Sequence, residues 1–373
     1  MTIGQKMKEA GDFPAGFDYL RVTLAVSVIV WHSVYACYGD AGEVEFWGGW
    51  PRPFVYFILP SFFGMGGFLI ASSLLRNTLP AFLTLRAARI YPALICEVLI
   101  SAILLGPQVT TLSYAEYFTH NEFWTYLLNM LGYIHYSLPG VFTENPAGSA
   151  VNTQLWTIPY EFKSYALIVL LALIGAIRRP VFLLIAICAL TVYCIPKDIY
   201  ELSLYTRPPG RLLILSCLWG VLLYIWRDKI PYSRTALGIA LVAAWITLSY
   251  KETACLSALP VTYITVWLGV HNPPRRFPVA GTDYSYGMYV YGFPIQQSIA
   301  YLLPDHRIWY INAGLGVAIA WMAAFLSWHF VEGPVLRRKR NIVAFVDTTV
   351  ALFRSHSERF RSGVTRLRRG AGA

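Results

Sequence analysis

The sequence predicts an all-α integral membrane protein of about ten transmembrane helices with both termini in the cytoplasm, and three observations predict it. Of 373 residues, 56% are hydrophobic and only 13% charged, whereas a soluble domain carries about 25% charged residues. Apolar stretches of near-spanning length recur along the chain, and mean hydropathy is +0.50. Basic residues collect in alternate gaps between those stretches. Too little polar surface remains to cover a globule in water. In a bilayer a helix of about 20 mainly apolar residues satisfies its own backbone hydrogen bonds.

The first span is expected at residues 17–38 and the second at 54–75, separated by the turn-rich loop GDAGEVEFWGGWPRP. The third is expected at 88–105. Residues 107–153 are less regular, and the apolar piece 123–136 is too short to cross, so it reads as interfacial or re-entrant. Further spans are expected at 155–177, 181–195, 212–226, 236–250, 256–270, 284–303 and 311–330. No internal repeat is visible, which weighs against a secondary transporter built from inverted halves.

Charge orients the spans. With the N-terminus inside, the cytoplasmic gaps hold Lys6 and Lys8, then Arg76, Arg86 and Arg89, then Arg178 and Arg179. Arg227, Lys229 and Arg234 follow, then Arg275 and Arg276, and finally RRKR at 337–340. The other side holds single charges such as Arg52, Lys197, Lys251 and Arg307. This is the positive-inside pattern of the bacterial cytoplasmic membrane. It accounts for the net charge of +10 without a basic face for nucleic acid. Residues 1–340 form the membrane unit. Residues 341–373 form a basic tail, amphipathic on the inner leaflet or disordered. The first apolar run carries Arg21 and His32 and lacks a small-residue cleavage site, so it is expected to stay as an anchor. Six cysteines are scattered without a CxxC pair or metal-ligand spacing. They read as packing residues, and no metal is expected.

Ionisable groups within apolar spans are costly and mark function. Four stand out: Arg21, His32, Glu97 and Glu161. Arg21 and His32 are about three helical turns apart, hence on one face and separated along the axis by roughly 16 Å. One stripe thus offers an anion-binding cation and, deeper, a titratable base. Arg86 and Arg89 are neighbours on one helical face, where two guanidiniums suit a phosphate-bearing ligand; membrane anchoring is the plainer reading. Glu161 stands near the start of its span beside Trp156 and Tyr160, at the expected depth of an outer aromatic belt. It could orient an imidazole or hold a sugar hydroxyl, or simply face interfacial water.

Together these residues resemble the acyltransferase-3 family of integral membrane acyltransferases, which includes bacterial O-acetyltransferases of exopolysaccharide, lipopolysaccharide and lipo-oligosaccharide. The likeness is carried by FDYLRVTLAVSVIVWH with Arg21 and His32, and by RAAR with Arg86 and Arg89. It continues in LWTIPYEFKSY with Glu161, DYSYGMYVYGFP at 283–294 and FVEGP at 330–334. Gly292 stands where many members carry a histidine. The resemblance implies acetyl-CoA as donor, held by Arg86 and Arg89 with help from Arg21. It implies His32 as general base or acyl carrier, with Glu161 orienting it or the acceptor. A carbohydrate or glycolipid acceptor is implied; lipid or small-molecule acceptors stay open.

Overall fold

The computed structural model describes residues 1–200, 207–277, 279 and 282–349. Its helices follow in chain order. They begin with α1 (Ile3–Glu9), α2 (Gly16–Trp47), α3 (Arg52–Arg76), α4 (Leu79–Leu99), α5 (Gly106–Val109), α6 (Tyr114–Thr119) and α7 (Asn121–Leu127). Then come α8 (Ile158–Leu173), α9 (Pro180–Tyr200), α10 (Gly210–Ile225), α11 (Arg234–Ser249) and α12 (Ala258–Gly269). The chain continues with α13 (Ser285–Leu302), α14 (Trp309–Ser327) and α15 (Gly333–Arg337). Among the described residues there is no β-strand, only three isolated bridges.

Four stretches are long and apolar enough to cross a bilayer: Gly16–Trp47, Arg52–Arg76, Leu79–Val109 and Trp309–Arg337. Three shorter apolar helices, Pro180–Ile195, Gly210–Ile225 and Arg234–Ser249, accompany them. Several spans expected from sequence are therefore shorter or split. The stretch expected at 155–177 opens as a 3-10 turn, Thr153–Thr157, before α8. That expected at 256–270 opens likewise with Lys251–Ser257 before α12. Of the expected tail, residues 341–349 are helical and residues from 350 on lie outside the described ones.

Local chemistry explains the breaks. Thr78 caps α4 by accepting from the Ala81 amide, and Pro80 fits its first turn. Beyond Pro92 that helix loosens into a π-helical turn, Ile100–Leu105. In α2, Gly39 has φ +68, which breaks helical geometry within the element. A side chain there would also lie 2.5 Å from the Pro146 carbonyl oxygen, so glycine admits the 137–157 segment to this helix.

Small residues close the centre of the bundle. Tyr56 meets Arg207, Gly64 meets Gly220, and Phe68 stacks edge-on with Tyr224 at 5.3 Å, so α3 and α10 run parallel. A β-carbon at Gly67 would stand 1.9 Å from the Cys217 carbonyl oxygen, and one at Gly220 would stand 2.1 Å from that of Gly64. Backbones approach this closely only where side chains are absent. The outward faces of α9, α11 and α14 carry Phe182, Ile239, Val242 and Met322, all exposed, as a lipid-facing surface requires.

The apolar piece expected to be too short to cross forms a short helix, α7, followed by a 3-10 turn. Helices α6 and α7 are short and capped by Ser113 and His120, and they expose Trp124 and Tyr114. The polar stretch that follows it, 137–157, folds back into the protein as a re-entrant segment, which α13 grips with side chains. Asn145 donates to the Gln297 carbonyl (2.9 Å), and Gln297 donates to the carbonyls of Gly148 (3.1 Å) and Ala150 (2.7 Å). Asn152 donates to the Val290 carbonyl (2.9 Å), and the Tyr289 hydroxyl donates to that of Gln154 (2.6 Å). Thr153, Gln154 and Leu155 are consequently buried, and α8 starts inside the protein.

Candidate active site

Because α8 starts inside the protein, Glu161 is held within the bundle. It lines a half-open cavity together with Arg21 of α2, Arg86 and Arg89 of α4, and Tyr165 of α8. Leu59, Phe62 and Met65 of α3 supply apolar wall. Arg21, the arginine pair and Glu161, widely separated in sequence, are thus brought to one site.

The two neighbouring arginines are not equivalent. Arg89 is held by Asp283 at 2.8 Å and Glu332 at 2.9 Å, and its guanidinium lies 5.1 Å from the centre of the Tyr286 ring. Arg21 reaches the same Asp283 at 3.1 Å and Asp18 at 3.6 Å. Ser285 donates to Asp283 and Ser327 donates to Glu332. Burial would push the Asp283 carboxyl up; Arg89 and then Arg21 outweigh this and hold it at about 2. This clamp ties α2, α4, α13 and the turn after α14 together. Arg86 differs: it faces the cavity, with Tyr165 and Glu161 as electrostatic neighbours. Its buried Nε makes no hydrogen bond, while Tyr165 donates to Glu161. A guanidinium so placed has capacity left for an anion.

His32 lies elsewhere. It is 2% exposed, stacked on Trp31 at 4.5 Å and edge-on to Phe293 at 5.6 Å, and its Nδ1 makes no hydrogen bond. It does not line the cavity, and no contact among the described residues joins it to Glu161. Between them stands Gln154. Its carbonyl accepts from Tyr289, a cavity residue, while its amide lies beside Gly292, next to Phe293. The Gln154 amide is fully buried with neither polar atom hydrogen-bonded. Glu97 lies away from the cavity and accepts from Ser101 at 2.7 Å.

Sequence reasoning met Asp283 and Glu332 only as members of the DYSYGMYVYGFP and FVEGP motifs, with no role assigned, and did not single out Tyr165 or Gln154. For the two acids a signal existed, since arginines buried within spans require counter-ions. Nothing in the local sequence marks Gln154, whose burial depends on the path of the re-entrant segment.

A family model described as an acyltransferase domain, the third such family, matches residues 15–332. An O-acetyl transferase of Shigella phage Sf6 is 26% identical over 86% of this chain and 96% of its own. Nodulation protein 10 of Rhizobium leguminosarum bv. viciae is 26% identical over 92% of this chain and 98% of its own. No solved structure gives a significant match. The family match spans α2 to the Glu332 turn, every element that builds the clamp and the cavity, so the chain belongs to the acyltransferase-3 family and is an acyltransferase.

Proposed function

We propose that this protein transfers an acetyl or similarly short acyl group from acetyl-CoA to a hydroxyl of a carbohydrate, on exopolysaccharide, lipopolysaccharide or a related glycolipid. It would act in the bacterial cytoplasmic membrane, with both termini and the Arg86 end of the bundle facing the cytoplasm. The observation that carries this reading is the cavity in which Arg86 keeps hydrogen-bonding capacity while Arg89 and Arg21 are neutralised by acids. Such a cation at an apolar-walled cavity fits a donor that joins phosphates to a thin, extended thioester arm. The name of the phage relative supports oxygen as the acyl acceptor.

The chemistry assigns one task to each group. Arg86 holds donor phosphate at the mouth, and the arm runs along the α3 wall towards Tyr289 and Gln154. His32 takes the proton of the acceptor hydroxyl as its oxygen attacks the thioester carbonyl. The carbon–sulfur bond breaks, and the leaving thiolate is reprotonated. General-base catalysis of this kind typically contributes about 10²–10⁴-fold. A buried Nδ1 without a hydrogen bond leaves a position for the hydroxyl.

The direct test is base-labile ester acetyl on host surface glycans, quantified by proton NMR, with the gene intact, deleted, or restored as His32→Ala. Ester acetyl should disappear on deletion and return only with the wild-type chain. Full restoration by His32→Ala would remove the histidine from the chemistry, and unchanged glycans on deletion would remove the surface acceptor.

A further inference from the structure

At the end of the bundle opposite Arg86, the Arg52 guanidinium and the Arg207 backbone meet at one tyrosine, Tyr56. Arg52, the first residue of α3, is 8% exposed, and its guanidinium lies 4.3 Å from the centre of the Tyr56 ring. Its Nε and Nη2 are buried and make no hydrogen bond. The Tyr56 hydroxyl donates to the Arg207 carbonyl oxygen at 2.9 Å. The parallel course of α3 and α10 thus brings the residues before α10 to the same end of the bundle as Arg52. The Arg207 guanidinium lies 5.8 Å from the centre of the Tyr35 ring. From there two ring contacts lead inward, Tyr35 to Phe293 at 5.8 Å and Phe293 to His32 at 5.6 Å.

Two features make this more than packing. A cation buried with unsatisfied donors is costly unless something anionic completes it. Arginine is also the side chain whose planar fork matches carboxylate and phosphate. The pair has the chemistry of Arg86 but approaches His32 from the other side. Arg207 is within electrostatic reach of His32 and of Tyr136.

We propose that Arg52 and Arg207 form an acceptor subsite that holds an anionic group, phosphate or carboxylate, carried by the same molecule whose hydroxyl is acylated at His32. The subsite rests on the acyl-transfer reading above. It restricts the acceptor class to glycans bearing such a group, and it separates the two substrates by charge at opposite ends of one protein.

The test uses the purified full-length chain in detergent, saturated with coenzyme A so that the Arg86 site is filled. Inorganic pyrophosphate and glucuronate are titrated separately by calorimetry. At least one should bind, and Arg52→Gln or Arg207→Gln should weaken it by about tenfold or more, the loss of one charge-assisted contact. Arg207→Lys should keep part of the affinity, and coenzyme A should bind every variant as it binds wild type, which also reports intact folding. Preference for pyrophosphate identifies a phosphate-bearing acceptor, and preference for glucuronate an acidic sugar. Absence of binding by both probes, or equal binding by wild type and both glutamine variants, overturns the subsite. Coenzyme A failing to bind any form would instead overturn the donor assignment, while the titrations still decide the arginine pair.

Discussion

Two arginines one helical turn apart divide their work, and the division can be measured. Arg89 neutralises Glu332, which is 1% exposed, so Arg89→Gln strands a buried carboxylate. Breaking such a pair costs about 3–5 kcal/mol, which should appear as a clear fall in the melting temperature of the detergent-purified protein. Arg86→Gln removes no ion pair and should melt close to wild type while losing affinity for coenzyme A. Equal melting of the two variants would cancel the division. Glu161→Gln keeps an acceptor for Tyr165 but removes a negative charge near Arg86, so donor affinity should rise. If turnover fell at unchanged donor affinity, an orienting role for Glu161 at His32 would be favoured instead. Asp283 sets a pH window. Its carboxyl sits near 2 in the folded protein against an ordinary 3.8, so its contribution is complete above the ordinary value and fades as pH falls towards 2. Melting followed from pH 6 to pH 3 should show a loss at the acid end that Asp283→Asn lacks. The sequence exposed the cations of this site because charge inside apolar runs is conspicuous. Their partners appeared only inside motifs, and the pairing stayed hidden because acids beside spans look like ordinary loop residues.

At the scale of elements, glycine position decides whether α3 and α10 can touch. Gly67→Leu forces a side chain against the Cys217 carbonyl and should lower expression and melting temperature. Gly66→Ala, whose methyl meets nothing within 4 Å, should leave both unchanged in the same thermal assay. The re-entrant segment offers a second test. Gln297→Leu removes the donors that hold Gly148 and Ala150. Faster amide exchange across 145–155, with the spanning helices still protected, is expected along with lost transfer. Protection equal to wild type would show that the segment is held in some other way. Long apolar helices such as α2 and α3 were legible because hydrophobic runs of that length have few other uses. The re-entrant stretch was not, since its anchors are single polar side chains contributed by α13, a helix remote in sequence. The apolar piece beside it drew attention by composition alone, and the grouping of Glu161 with Arg86 at one cavity was not anticipated.

For the molecule as a whole, charge alternation and apolar runs were enough to anticipate a helical membrane protein, and short motifs were enough to anticipate its family. They gave about ten crossings, whereas among the described residues four helices are long and apolar enough to cross and three apolar helices are shorter, because a helix surrounded by others need not span the bilayer alone. The motifs also did not convey that the Arg21–Asp283–Arg89–Glu332 clamp is one object made from both ends of the chain. The parallel pairing of α3 with α10 has a consequence for synthesis. The glycine face of α3 is made early, yet its partner emerges only after the stretch holding the arginine pair and the re-entrant segment. Until then that face stays open in the membrane, exposed to insertion factors and membrane proteases. Chains released before Ile225 should therefore be degraded rapidly, and chains released just after α10 should persist longer, which pulse-chase measurement of staged truncations would reveal.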